Sequence, residues 1–466
     1  MKKRIYISIV LLLIIMQLQG QYISRVYKYM PAPGQHINAL PWGLPSSANS
    51  IIGGIEGSLS LGAFGGYVVF GFEDAVVNDP DNPYGIDFTI FGNPITDASE
   101  PGVVYVMADT NANGLPDETW YLLAGSDYWF STSVADYGVT YSNPGGHADV
   151  PWTDNLGNSG FIYANAIHEQ AYYPGADSFP NINPVQYMMS GSMIEGAIDS
   201  SSPAFVRSPQ RAFGYADNRL RGGQIHTLPD NPYTSELEAS GGDAFDISWA
   251  VDSLGNYVEL DSIHFIKVQT GMMGDLGWLG EISTEITGAV DVTPEPGTNY
   301  DLDMVVIKDL PVIIDTSSYP LVGFAFHAGR IQPEAELYWE TNVSWAQVED
   351  GLLISEKSGE LEITAKLLSD PEINATITAR VELPSGIPVF PHSRILIMPN
   401  PSNTFFKVSG LDDAFLQVYS LSGELLISTD HYGDGQIINT EALRPGLYLV
   451  KITTKEYTRT LKLIQQ

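Results

Sequence analysis

Short runs of β-branched and aromatic residues, each soon cut off by Gly, Pro, Asn or Asp, constrain this chain more than any other feature. Gly66-Tyr67-Val68-Val69-Phe70-Gly71-Phe72, Val103-Val104-Tyr105-Val106-Met107, Thr119-Trp120-Tyr121-Leu122-Leu123, Phe245-Asp246-Ile247-Ser248-Trp249-Ala250-Val251 and Ile263-His264-Phe265-Ile266-Lys267-Val268-Gln269 are such runs. Ile86-Asp87-Phe88-Thr89-Ile90-Phe91-Gly92 alternates polar with apolar residues, as a half-buried strand does. With 45 Gly and 30 Pro in 466 residues, and few segments that read as long amphipathic helices, turns are frequent and strands short. The fold class that follows is all-β: a large jelly-roll-like sandwich first, then smaller sandwiches.

Composition divides the chain. Residues 1–20 carry a basic start (Lys2, Lys3, Arg4), an apolar stretch from Ile5 to Met16 and a small residue in Gln19-Gly20-Gln21. That is the pattern of a secretory signal peptide, and the apolar stretch is short of the roughly 20 residues that a membrane span needs. No later stretch reads as a transmembrane span. Thr293-Pro294-Glu295-Pro296-Gly297 and Pro384-Ser385-Gly386-Ile387-Pro388-Val389-Phe390-Pro391 read as linkers. They imply a first sandwich over 21–296, a second over 299–384, a linker over 385–393 and a terminal domain over 394–466. The stretch 126–240, rich in Gly, Pro, Asn, Ser, Asp and Tyr, is expected to pack as long loops over one end of the first sandwich.

The charge excludes one class of partner. The chain has 55 acidic and 22 basic residues, a net charge of −33, which disfavours nucleic acid because phosphate contacts need Lys and Arg. It has no Cys, so disulfides and a cysteine nucleophile are both excluded, and stability must come from large cores or bound metal. The eight His are scattered, and Gly157-Asn158-Ser159-Gly160 lacks the context of a nucleophile turn. Carboxylates are so plentiful that their presence alone is no sign of a glycoside hydrolase.

One local pattern stands out from the bulk acidity. In Asp109-Thr110-Asn111-Ala112-Asn113-Gly114-Leu115-Pro116-Asp117-Glu118, side-chain oxygens fall at positions 1, 3, 5 and 9, with Gly at position 6. Asp109, Asn111, Asn113 and Asp117, with the Leu115 carbonyl and Glu118, can surround a calcium ion, and the Gly permits the sharp turn. The run is similar to the Asp-rich calcium loops of dockerins, thrombospondin type-3 repeats and EF-hands. It departs from the EF-hand at position 12, where Trp120 stands in place of the bidentate Glu; Glu118 or a distant residue such as Glu100 would have to replace it. The other reading is an Asn/Asp/Gly turn without an ion. Aromatic residues of the 126–240 stretch, Trp152, Tyr172, Tyr173 and Tyr215, with Asp217, form a candidate ligand platform; Asp154, His168 and Arg211 are further polar candidates. The alternative role for these rings is to anchor loops on the sandwich.

Three resemblances add to this reading. Met398-Pro399-Asn400-Pro401-Ser402-Asn403, Val418-Tyr419-Ser420-Leu421-Ser422-Gly423, Pro445-Gly446-Leu447-Tyr448-Leu449-Val450-Lys451-Ile452 and Arg459-Thr460-Leu461-Lys462-Leu463-Ile464 occur in the order of the type A C-terminal sorting domain of type IX secretion substrates in the Bacteroidetes. That resemblance implies an address, with the secretion machinery as partner. Gly85 to Asn93, Glu100-Pro101-Gly102-Val103, Trp120 to Gly125, Gly214-Tyr215-Ala216-Asp217-Asn218 and Gly277-Trp278-Leu279-Gly280-Glu281 resemble a group of uncharacterised Bacteroidetes cell-surface proteins and, more remotely, galactose-binding-like jelly rolls. Some of that group are placed among outer-membrane nutrient-uptake systems, including those for corrinoids. Trp339, Trp345, Gly351 to Ser355 and Ala375 to Val381 resemble the bacterial immunoglobulin-like group 2 fold, usually a spacer. Together they imply a secreted, non-enzymatic protein of the extracellular or outer-membrane surface, with a calcium-stabilised sandwich that recognises a glycan or nutrient. The rivals are a secreted polysaccharide-degrading enzyme and an adhesin or matrix protein without a small ligand.

Overall fold

The computed structural model describes residues 22–80, 82, 85–95, 97–194, 198–201, 206–218, 242–292, 303–383, 395–409, 411, 413–420, 423–454 and 458–466. The expected signal peptide and both Pro-rich linkers lie outside them. The class is all-β, as the punctuated runs imply: helix among the described residues is confined to short 3-10 turns such as Pro45–Ile51, Ile247–Trp249 and Gly277–Leu279. The chain divides into two compact units, one ending at Leu383 and one running from Pro384 to Gln466.

The first unit is built on a six-stranded antiparallel sheet. Its order is Arg25–Met30, Tyr67–Gly71, Phe265–Thr270, Gly102–Met107, Tyr121–Leu123 and Ala250–Val251. The two-residue repeat of a strand sends Val68 and Phe70, Val104 and Val106, and Ile266 and Val268 to one face. There they share a core with Phe88, Ile90 and Phe245 of a three-stranded sheet, Gly242–Phe245, Phe88–Phe91 and Gly288–Asp291. Each such side chain contributes roughly 1.5–3 kcal/mol on burial, which is how a chain without disulfides holds together.

Two sequence expectations are corrected. The run Phe245–Val251 is not one strand. Asp246 accepts a hydrogen bond from the Ser248 amide at 2.6 Å and caps the turn Ile247–Trp249, so Gly242–Phe245 and Ala250–Val251 belong to different sheets. The stretch 126–240 is not only loops. It contains a four-stranded antiparallel sheet, Ser159–Ile162, Val150–Asp154, Val134–Ser142 and Gln186–Met193. Tyr137, Val139 and Tyr141 alternate inward on its longest strand, a period-2 signal hidden among Gly, Ser and Asp.

The strands after residue 303 pack on the first sandwich within the same unit. Met304, Val306 and Phe326 enter its core beside Phe213 and Trp249. The fully buried Trp249 donates its indole N–H to the Ala328 carbonyl at 2.9 Å, and Arg330 donates to the Ser248 carbonyl at 2.9 Å. A separate core of Leu353, Leu361, Ile363, Ala379 and Val381 completes this second sandwich.

In the second unit, the sheet Leu425–Tyr432, Ala414–Tyr419, Gly446–Thr453 and Thr458–Gln465 shares a core with the sheet Leu396–Met398, Phe405–Ser409 and Ile438–Asn439 through Phe406, Val408, Leu416, Val418, Val450 and Leu463. Asn400 of the Pro-Asn-Pro-Ser motif clasps the last strand: its side chain donates to the Lys462 carbonyl at 2.8 Å and accepts from the Ile464 amide at 2.9 Å. Gly423 takes φ 87° in the turn between Ala414–Tyr419 and Leu425–Tyr432, a conformation that suits Gly.

Two predictions follow from this packing. Trp249→Ala should cost roughly 3–5 kcal/mol in urea unfolding, because it opens a cavity where the two sandwiches of the first unit meet. The second concerns the buried pair Asp87 and Asp246. Burial, then mutual repulsion, raises Asp87 well above the ordinary carboxylate range, and burial pushes Asp246 up to about 7 from 3.8. The folded state therefore holds a proton that unfolding releases. The contribution of this pair to stability is greatest below the unfolded value near 4 and falls as pH rises toward 7, by at most about 1.4 kcal/mol per pH unit for each proton. Glu281, pushed up to about 8, and Asp291, pushed up to about 7, act in the same direction. Asp246→Asn keeps the cap and should remove part of that slope in melts between pH 4.5 and 8; an unchanged slope would show that this pair does not titrate on unfolding.

Candidate functional site

The Asp109–Glu118 run leaves the strand Gly102–Met107 and returns to Tyr121–Leu123. Its base is fastened by the Asp109 amide, which donates to Nδ1 of His264 at 3.1 Å. Ala112 (φ 56°) and Gly114 (φ 72°) turn the backbone inward. Asp109 accepts from the Asn113 and Gly114 amides at 3.1 and 2.8 Å, Asn111 from Asn113 at 3.0 Å, and Asn113 from Leu115 at 2.7 Å. Asp117 accepts from the side-chain amides of Asn111 and Asn113. Glu118 accepts from the Asn111 amide at 3.1 Å through one oxygen, while its other oxygen, Oε2, is shielded from solvent with no hydrogen-bond partner among the described residues. These oxygens are hard donors, the chemistry calcium prefers, and the unpartnered Glu118 oxygen is consistent with a place in its ligand shell. The residues that would hold the ion are Asp109, Asn111, Asn113, the Leu115 carbonyl, Asp117 and Glu118.

The sequence-predicted aromatic residues do not form one exposed platform. Tyr172 and Tyr173 are buried in the core beneath the four-stranded sheet, and Trp152 packs partly buried against it. The Tyr172 hydroxyl accepts from the Asn165 amide, and the Tyr173 hydroxyl donates to the Asn183 carbonyl. Tyr215 is buried elsewhere, beside Val103, Tyr105 and Met272, and accepts from the Asp127 amide. The rings therefore anchor these segments, because burial of their apolar bodies leaves each hydroxyl next to a backbone partner. Arg211 is buried between Asp127 and Asp309, His168 packs edge-on against His36, and Asp154 organises the turn to Asn158.

Asp217 instead joins a group that sequence spacing could not reveal. Glu100, Asp217 and Glu285 bring ligating oxygens within 4.8 Å of one another. Asp217 accepts from the amides of Asn93 and Glu285, both at 2.8 Å; Glu100 accepts from the Ser283 amide at 2.9 Å; Glu285 accepts from the Ser283 hydroxyl at 2.8 Å. Burial, then repulsion from Glu285, raises both Glu100 and Asp217 well above the carboxylate range, and burial pushes Glu285 up to about 7. Oδ1 of the neighbouring Asn93 is shielded and has no hydrogen-bond partner among the described residues. Three carboxylates this close cannot all stay charged in a low-dielectric interior; they must share protons or surround a cation. The three acids stand at positions 100, 217 and 285, far apart in the chain, so no local motif marks them.

Two clefts lie near these groups. One, of about 350 Å³, is lined by Lys28, Tyr67, Pro116, Trp120, Met188, Lys267 and neighbours. The other, of about 250 Å³, is lined mainly by Leu122, Tyr128, Trp129, Met193, Tyr215 and Leu254. Among the described residues, neither lining contains a carboxylate or a histidine.

Residues 396–466 match the secretion system C-terminal sorting domain. The chain thus carries a type IX sorting tail, which implies export to the cell surface or the extracellular space. No described helix is long and apolar enough to cross a membrane. No curated protein matches the chain. Among solved structures, titin immunoglobulin tandem domains align at 12% identity over 33% of this chain and 90% of that chain, with a TM-score of 0.12. The neural ectodermal development factor IMP-L2 aligns at 11% identity over 35% and 94%, with a TM-score of 0.14. The extracellular cadherin domains of protocadherin Gamma B7 align at 11% over 44% and 62%, also with a TM-score of 0.14. Likenesses this low carry no argument about function.

Glu285→Gln separates the two states of the buried acids. If a cation sits among them, the amide should lower stability by about 1–3 kcal/mol in calcium and raise it in a chelator at pH 8, where it removes a buried charge. Protonated carboxyls without a cation would give the same sign in both solutions.

Proposed function

We propose that the chain is an exported, non-enzymatic binding protein of the cell surface, whose first sandwich is stabilised by calcium at Asp109–Glu118 and recognises a glycan or nutrient. The observation that carries this reading is the position of the loop. Pro116, within it, and Trp120, just after it, form one side of the 350 Å³ cleft, whose floor is the six-stranded sheet. An ion held by Asp109, Asn111, Asn113, Leu115, Asp117 and Glu118 would fix that side and cancel acidic charge beside the opening. Glu100, Asp217 and Glu285 offer a second seat, deeper in the sandwich.

The clefts favour binding over hydrolysis. Glycoside hydrolysis uses two carboxyl groups facing one another across the scissile bond, and among the described residues neither the 350 Å³ nor the 250 Å³ cleft is lined by one. Asp127, in a third and smaller cleft, is held by Arg211.

Calcium should raise the melting temperature above that in EDTA, by about 3–4 °C when free calcium exceeds its Kd a hundredfold. Asp109→Ala should abolish most of that difference, whereas Glu285→Gln abolishes it if the buried seat dominates. Identical melts with and without chelator would remove calcium from the account.

A further inference from the structure

The outer face of the six-stranded sheet is assembled by register. Lys28 pairs with Val69, Val69 with Lys267, and Lys267 with Tyr105, so these four side chains form one row across the sheet. Met30, Tyr67, Gln269 and Val103 form the next row. Paired residues in an antiparallel sheet share a face, and neighbouring strands lie about 4.8 Å apart, so Lys28 and Lys267 stand on the same face two strands from each other. Above this floor the segment of Met188 and Ser190 and that of Pro116 and Trp120 complete the lining of the cleft. Gln269 ties the first of these to the sheet, donating to the carbonyls of Gly65 at 2.8 Å and Ser190 at 3.1 Å; the Tyr105 hydroxyl, which accepts from the Ser192 amide at 2.9 Å, adds a second tie.

The charges in this cleft run against the rest of the protein. The chain carries −33 overall, yet among the described residues no ion pair joins Lys28 or Lys267 to a carboxylate. Lys267 lies over the ring of Tyr105 at 3.8 Å and within 5.3 Å of the Trp120 ring; Lys28 lies 5.3 Å from the Tyr67 ring. Ring faces partly compensate a cation, at about 0.5–2 kcal/mol each, but do not neutralise it. Burial, then the nearness of Lys28, pushes Lys267 down to about 8. An anion placed between the two ammonium groups would relieve both effects. Trp120, half-buried, and Met188, largely exposed, offer an apolar surface beside them.

We propose that this cleft binds an acidic saccharide, with a ring carboxylate or sulfate held between Lys28 and Lys267 and the C–H face of the sugar against Trp120 and Met188. Two ammonium groups select the anion; the aromatic and thioether surface selects a carrier with an apolar face rather than a bare ion. The cleft's volume, about 350 Å³, accommodates one or two sugar rings, and its open rim lets a chain continue beyond it. The inference rests on reading the chain as an exported binding protein and names the class of ligand that protein takes.

The test is calorimetric titration of the full chain with oligogalacturonate and its neutral methyl ester, and with a sulfated galactan oligosaccharide and its desulfated form. Inorganic sulfate serves as the bare-anion probe. At least one acidic oligosaccharide should bind about tenfold or more tightly than its neutral counterpart and than inorganic sulfate, and the arm that binds distinguishes carboxylate from sulfate. Lys267→Met and Lys28→Met should each weaken that binding about tenfold, and Trp120→Ala should weaken it without restoring the neutral sugar. Lys28 is exposed, so Lys28→Met keeps the test valid if Lys267→Met does not fold. Equal binding of neutral and acidic forms, equal binding of inorganic sulfate, affinity unchanged in both lysine variants, or no binding of any oligosaccharide would each overturn the proposal. Titration in EDTA separates it from the calcium reading: lysine-dependent binding that survives while melting ignores chelation leaves the cleft intact and removes the ion.

Discussion

The strand Phe265–Thr270 pairs on both sides, with Tyr67–Gly71 and with Gly102–Met107, and its two-residue repeat decides both faces of the sheet on which the first unit is built. Ile266 and Val268 point into the sandwich core, while Lys267 and Gln269 line the cleft on the opposite face. A shift of one residue in this register would bury a lysine and expose two β-branched core side chains, so burial of the inner face also fixes the chemistry of the outer one. Core and candidate ligand site are two consequences of one hydrogen-bonded ladder.

Electrostatics impose a second constraint. With no disulfide available, the first unit draws its segments together through cores and through buried carboxylates. Asp87 receives the amides of Asp79 and Ile247, and Asp217 those of Asn93 and Glu285. Each thereby joins segments far apart in sequence and satisfies backbone donors that strand ends leave free. The cost is that acids such as Glu100, Asp217 and Glu285 sit together and need protons or a cation. The same unit places Lys28 and Lys267 on the outer face of its sheet, where among the described residues neither is ion-paired to a carboxylate, an inversion of the overall charge.

The sandwich that follows residue 303 shows how packing joins what a linker suggests is separate. Trp249 bonds to the Ala328 carbonyl, and Phe213, Trp249 and Phe326 share one aromatic cluster. A Pro-rich segment signals an extended connection; it does not say how tightly the flanking elements pack, because that depends on side chains scattered through both.

Much of this architecture is legible in the sequence. The alternating run around Phe88 and the apolar runs at 66–72, 103–107 and 263–269 carry the β class, because period-2 burial and turn residues are local properties. The Asn400 motif and the final strands gave the sorting tail for the same reason: the residues that matter lie close together in the chain. The spacing of the 109–118 loop was equally visible. Tertiary structure alone decided that Tyr172 and Tyr173 are core residues, that Asp217 meets Glu100 and Glu285, and that Lys28 and Lys267 share one face. These relations depend on strand order and register over long separations, and composition and local spacing carry no record of either.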